Sequence, residues 1–198
     1  MDIVTALLSL LVLHALLGAF DTFVSHEWRE RLPAHAWAST ELAVHSARSA
    51  LFVMIFAGLA WFEWHGAFGW LIVAVMLAEY AITIVDSIVE DRTRRLSATE
   101  RTNHMLLALN TGAYATLLTL LVATDWQHAP AAVVAARHPP LLVALLTLSA
   151  IAVAAWAVRD GLASFRLRSG AGDARSASAS RQAPLRVPAR SRYGGSHD

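Results

Sequence analysis

An all-α integral membrane fold with five transmembrane helices follows from two observations, and a third gives its internal plan. The 198 residues are 56% hydrophobic and 16% charged, with mean hydropathy +0.47, too apolar for an ordinary soluble domain of this size. The apolar residues also fall into runs long enough to cross a hydrocarbon core, which takes about 20 helical residues. The third observation is a duplication within the first four runs, so that a two-helix unit used twice builds a four-helix bundle.

The runs are Ile3 to Val24, Leu42 to Phe62, Ala67 to Val89, Met105 to Ala123 and Leu141 to Val158. The first lacks the basic start and small-residue cleavage site of a secretion signal and carries Asp2 instead, so it is expected to persist as a helix. The second and fourth open on Thr40-Glu41 and Thr99-Glu100, a capping residue followed by an early carboxylate, as helix starts favour. Repeat units are placed at about 3–62 and 67–123. The fifth helix, 141–158, is read as an accessory reached through the Pro- and Ala-rich loop "DWQHAPAAVVAARHPP", closing a transmembrane domain over 1–165. From about Arg166 to Asp198 the chain is rich in Arg, Ser, Ala and Gly, and a disordered basic tail attracted to anionic lipid headgroups is expected.

All sixteen basic residues are Arg. They cluster between runs one and two, between three and four, and after five, while the alternate loops hold only Arg137. Because basic loops stay cytoplasmic, the N-terminus is placed outside and the C-terminus inside a bacterial inner membrane. The partners expected are the bilayer and an apolar small molecule or quinone; no nucleic acid is expected. The absence of cysteine excludes disulfides, iron-sulfur clusters and thiolate ligands, so any metal must use His, Asp or Glu.

The duplication carries the chemistry. "HALLGAFDTFVSHEWRE" aligns on "EYAITIVDSIVEDRTRR", placing His14 on Glu79, Asp21 on Asp86 and Arg29 on Arg94. A shorter second loop then brings Glu41 and His45 onto Glu100 and His104. Positions i, i+4 and i+7 share a helix face, so each of the four helices bears one polar stripe. A charge turned toward hydrocarbon costs about 2.5–3.5 kcal/mol even on the lenient insertion scale; the stripes must therefore face one another. Asp21, Asp86, His45 and His104 fall within roughly one turn of the same membrane face.

Carboxylates gathered away from water repel one another and need protons, arginines or cations. A dinuclear metal centre answers that need, with two iron ions suiting mixed imidazole and carboxylate ligation, and manganese or zinc as alternatives. Its candidate ligands are Asp21, Glu41, His45, Glu79, Asp86, Glu100, His104 and His14. Arg48 and Glu90 are the candidate catalytic groups, Arg48 to neutralise charge or hold an anionic substrate group. The set resembles the ferritin-like dinuclear carboxylate proteins, in which two helices give a Glu each and two give a Glu/His pair. Here the Glu-to-His interval is four residues instead of three, and Asp21 and Asp86 stand where Glu is usual. The stretches "GAFDTFVSHEWRERLP" and "WFEWHG" also resemble a group of bacterial multi-span membrane proteins without an assigned function.

The function expected from this set is that of a metal-dependent oxidoreductase acting on a lipid-soluble substrate at the cytoplasmic side. Two other readings stand beside it: haem b held between His45 and His104 for electron transfer, and a transporter or structural protein with a buried polar network. Each residue also has a plainer role, since Glu41 and Glu100 suit a helix start and the acids near the loops suit pairing with arginines. His26 lies out of α-helical phase with Asp21 and is assigned a substrate-side or supporting place.

Overall fold

The computed structural model describes residues 2–182, with side-chain surroundings to residue 170, and is mostly helical. The helices are α1 Ile3–Phe20, α2 Ser39–Trp61, α3 Ala67–Thr93, α4 Ala98–Thr124 and α5 Pro140–Gln182. Five helical segments are long and apolar enough to cross a membrane. Asp2 caps α1 by accepting a hydrogen bond from the Thr5 backbone N–H at 2.7 Å, which draws its carboxyl below the usual carboxylate range. Ser97 caps α4 in the same way, accepting from Glu100 N at 3.2 Å.

α1 does not end at Phe20 but continues as a π-helical segment, Asp21–Arg29. Its wider turn brings residues five apart onto one face. A left-handed Arg31 (φ 48°) then reverses the chain into two short 3-10 turns, Leu32–Ala34 and Ala36–Ala38, ahead of α2.

The apolar core joins all five helices, with Leu7, Leu11, Phe56, Leu59, Tyr114 and Leu118 among its most buried members. Large apolar side chains such as Leu16, Leu77, Ile84, Leu109, Leu148 and Phe165 cover the outside. An apolar exterior this extensive is what helices surrounded by lipid require.

The fifth helix differs from an accessory. Its packing along α2 is the most extensive of any helix pair. Small residues permit the approach: Ser46 donates to Ala157 O at 2.7 Å, Ser164 donates to Ser39 O at 2.6 Å, and a Cβ at Gly161 would stand 2.9 Å from Ser46 Oγ. α5 also runs past Val158 into the stretch expected as a disordered tail, for no proline interrupts it before Pro184. The rest of that tail, 183–198, lies outside the described residues.

At the end of the molecule away from the π segment, the two loops expected on the outer side pair as an antiparallel ribbon. β1 (Phe62–His65) runs against β2 (Ala132–Ala135), with Phe62 opposite Ala135 and His65 opposite Ala132. Gly66 makes the turn from β1 into α3 with φ 57° and ψ −133°, and its N–H donates to Trp126 O at 2.8 Å. A Cβ there would lie 2.7 Å from Ala131 Cα. Gly66→Ala should therefore cost about 1–3 kcal/mol of stability, read as a lowered unfolding midpoint.

Candidate metal centre

Because α1 and α3 arrive where α2 and α4 begin, the polar stripes of all four helices meet at one end. Six carboxylates lie there, Asp21, Glu41, Glu79, Asp86, Glu90 and Glu100, none more than 4% exposed. The two aligned stretches exchange partners: His104 lies 2.9 Å from Asp21, and His45 lies 3.1 Å from Asp86. The duplicated spacing thus reappears as a pair of crossed imidazole-carboxylate contacts.

The π segment breaks the symmetry. In an α-helix Asp21 and His26 would diverge, but the π turn places His26 Nε2 3.5 Å from Asp21 Oδ2, 3.8 Å from Glu90 and 3.9 Å from Glu100. The His26 ring stacks on that of His45 at 4.4 Å, nearly parallel. Nothing in "DTFVSHEWR" announces this, since no Gly or Pro marks the change of winding. The only hint was a further histidine just past the aligned Asp.

Glu90 occupies the middle. Its Oε1 lies 3.6 Å from His45 Nε2, and its Oε2 lies 3.6 Å from His104 Nδ1. One carboxylate therefore turns an oxygen toward each of two of the three expected histidine ligands, His45 and His104.

Two donor groups result, Asp21, His26, Glu100 and His104 in one, His26, Glu41, His45 and Glu90 in the other. In each, one ligand atom per residue lies within 4.8 Å of all the others. Donors bound to one ion at about 2.1 Å stand about 3.0–3.4 Å apart unless they are directly opposite, so side-chain shifts of about an ångström would bring either group to coordination distance. His26 Nε2, His45 Nε2, Asp21 Oδ1 and Asp86 Oδ1 are buried without a hydrogen-bond partner. The 3.1 Å His45–Asp86 contact is close but misaligned for a hydrogen bond, which leaves both atoms open to another partner.

The arginines take up part of the charge. Arg94 spans two carboxylates, with Nη2 2.6 Å from Glu100 Oε1 and 3.0 Å from Glu41 Oε1. Burial opposes its charge, but the hydrogen bonds to Glu100 and the negative charge of Glu41 more than offset this and hold the guanidinium above its ordinary range. Arg48 pairs with Asp86 at 3.1 Å and Glu79 at 3.4 Å. With the histidines counted as neutral, six carboxylates against two guanidinium groups leave a formal charge of −4, too much to bury bare.

Of the expected ligands, Asp21, Glu41, His45, Glu100 and His104 fall within the two donor groups, and Asp86 lies beside His45. Glu79 instead accepts from Thr83 at 2.6 Å and faces Arg48. His14 lies between Phe52 and Tyr114, its rings 4.8 and 5.4 Å away, outside both groups. Of the two residues given catalytic roles, Glu90 is inside a donor group and Arg48 sits between Asp86 and Glu79.

A cavity of about 250 Å³ opens beside the layer between α1, α2 and α5. Asp21, His26, His45 and Arg48 form its polar end, while Phe52, Phe56, Val153 and Trp156 are among its apolar walls. No protein-family model, curated protein or solved structure matches the chain.

Proposed function

We propose that the protein is a membrane-embedded dinuclear metalloprotein, an oxidoreductase that acts on a lipid-soluble substrate at the cytoplasmic face of a bacterial inner membrane. Iron is the metal first expected, with manganese or zinc next. In this reading the four helices form a bundle from the duplicated unit, with the N-terminus outside and the C-terminus inside. The resemblance to ferritin-like dinuclear proteins supports it through the donor set alone.

One observation carries the proposal. Two groups of four donors lie side by side and share His26, and Glu90 lies against a histidine of each, its Oε1 3.6 Å from His45 Nε2 and its Oε2 3.6 Å from His104 Nδ1. The charge balance supports it independently, since two divalent ions would bring the formal −4 of the layer to zero. Asp21, His26, Glu100 and His104 would hold one ion; Glu41, His45 and Glu90 would hold the other, with Asp86 beside it. A pair of redox-active metals supplies two-electron chemistry. The chain's part is to fix the donors on rigid helices, exclude water from the layer and keep Arg48 at the substrate end.

Haem b between His45 and His104 fits less well, because Glu90 stands between those imidazoles and a macrocycle would have to displace it. A purely structural or transport network is favoured by one feature, the clasp of Arg94 on Glu41 and Glu100.

Elemental analysis and absorbance of the purified protein decide among these. About two metal ions per chain without a Soret band are expected, falling close to zero in the His45→Ala, His104→Ala double variant. A wild type as empty as that variant would end the dinuclear reading, and a Soret band would replace it with haem.

A further inference from the structure

The cavity beside the metal layer has features that specify an occupant. It lies on α1 against Ala15, Gly18 and Ala19 and on α5 against Ala152, small residues that keep the two helices apart where larger ones would close the gap. Gly18 is the most telling of them. It sits in the interior of α1, where glycine is a poorer helix former than alanine, and a Cβ added there would meet nothing within 4 Å. No backbone contact requires the glycine; what its missing side chain leaves is open space facing the cavity.

The walls are aromatic on two sides. Phe52 and Phe56 on α2 stack at 5.2 Å between centroids, and Phe23 meets Trp156 edge-on at 5.1 Å. Leu16 and Phe23, 63% and 55% exposed, form part of the rim and belong to the apolar exterior. The way in is therefore through the lipid-facing surface.

Apart from the unpartnered atoms of Asp21, His26 and His45, which belong to the metal layer, two polar atoms of the lining are buried and without a partner, Trp156 Nε1 and His14 Nδ1. His14 itself is 96% buried by its 4% exposure, so its ring nitrogen has no water to fall back on. An indole N–H can only donate, and a neutral imidazole can donate through either nitrogen. Such groups inside an apolar chamber call for an acceptor oxygen on an otherwise apolar molecule.

Size and charge narrow the class. A cavity of about 150 Å³ accommodates benzene, so about 250 Å³ takes one substituted ring and leaves a longer tail to run out between α1 and α5 into lipid. Two divalent ions in the adjacent layer would leave it formally neutral, and Arg48 already faces Asp86 and Glu79. No surplus positive charge remains to hold an anionic head.

We infer that this cavity binds a neutral lipophile with a single carbonyl- or hydroxyl-bearing ring, of the benzoquinone or quinol class, entering from the bilayer between α1 and α5. The preference for a neutral head rests on the dinuclear reading above; the site itself rests on the cavity, Gly18 and the unpartnered donors.

The test is binding of radiolabelled decyl-substituted benzoquinone to the full chain in detergent micelles, metal content being measured on the same samples. Saturable binding of one molecule per chain is expected, at least tenfold weaker in Gly18→Leu and several-fold weaker in Trp156→Phe, with metal content unchanged in both. Ala152→Leu, which fills the cavity from α5, should reproduce the Gly18→Leu loss and serves if that variant folds poorly. Equal binding by wild type and both leucine variants would overturn the site. Displacement of the quinone by hexadecanoate or hexadecane as effectively as by unlabelled quinone would overturn the ring and neutral-head assignment. Loss of binding at Gly18→Leu in protein that holds no metal would sustain the cavity site and strike only the metal reading.

Discussion

Replacing Glu90 with Gln should empty one half of the layer and weaken the other, taking the content from about two ions per chain to about one or fewer after dialysis against a competing chelator. The shape of the side chain is kept, but the charge and one of the two anionic oxygens are lost. Glu90 belongs to the donor group of Glu41 and His45, and its Oε2 lies 3.6 Å from His104 Nδ1 of the other group, so one ion would lose a ligand and the other a neighbouring carboxylate. Losing an outer partner of a metal ligand typically costs 10–100-fold in affinity; losing a ligand should cost more than that. The same substitution has the opposite sign in metal-free protein. There the layer carries a formal −4, and removing one of the buried charges relieves repulsion, so chelator-treated Glu90→Gln should unfold at a higher denaturant concentration than chelator-treated wild type. Glu79→Gln is the control, because Glu79 faces Thr83 and Arg48 and belongs to neither donor group. It should keep both ions. A Glu90→Gln protein that also keeps both would refute the ligand role of Glu90 directly.

The gathering of Asp21, Asp86, His45 and His104 at one end of the helices was legible in the sequence, because helical periodicity and the duplicated spacing put all four at one depth; which imidazole meets which carboxylate was not. For the rest of each stripe, periodicity gave the face but resolved depth less well. His14 and Glu79 lie seven residues before Asp21 and Asp86, on the same stripes but about 10 Å deeper along the helix axis, which is why they face Phe52, Tyr114 and Arg48 instead of the donor groups. His26 was hidden for a different reason. Its place depends on π winding over Asp21–Arg29, whose residues are as compatible with an α-helix; in the second unit the corresponding chain stays α-helical to Thr93. The packing of α5 on α2 escaped because Ser46, Gly161 and Ser164 make it through closeness and backbone acceptors, which leave no periodic apolar signal. The residues that face an apolar cavity are equally silent in a chain that is apolar throughout.

Arg94→Met is the second variant with a large expected effect, and it separates a metal-bearing layer from a purely structural one. Arg94 holds Glu100 through two bonds, Nη2 to Oε1 at 2.6 Å and Nη1 to Oε2 at 3.0 Å, and holds Glu41 through Nε and Nη2 at 3.2 and 3.0 Å. Glu90 lies 3.6 Å away as well. Methionine keeps the apolar stem but leaves three buried carboxylates without this counter-charge. Breaking a buried ion pair from one side costs about 3–5 kcal/mol, since the remaining charge cannot return to water. That loss is the expected result in chelator-treated protein, measured by reversible unfolding in mixed micelles. With metal bound, the ions themselves neutralise the same carboxylates, so the cost should shrink to less than half. Arg29 provides the internal comparison. It is the repeat counterpart of Arg94, yet in the fold it only donates to Ser97 Oγ at 3.1 Å in an exposed position, and Arg29→Met should change stability by no more than about 0.5 kcal/mol. Equal destabilisation by Arg94→Met with and without metal would mean that the arginine, and not a pair of ions, is what the carboxylates were gathered to meet.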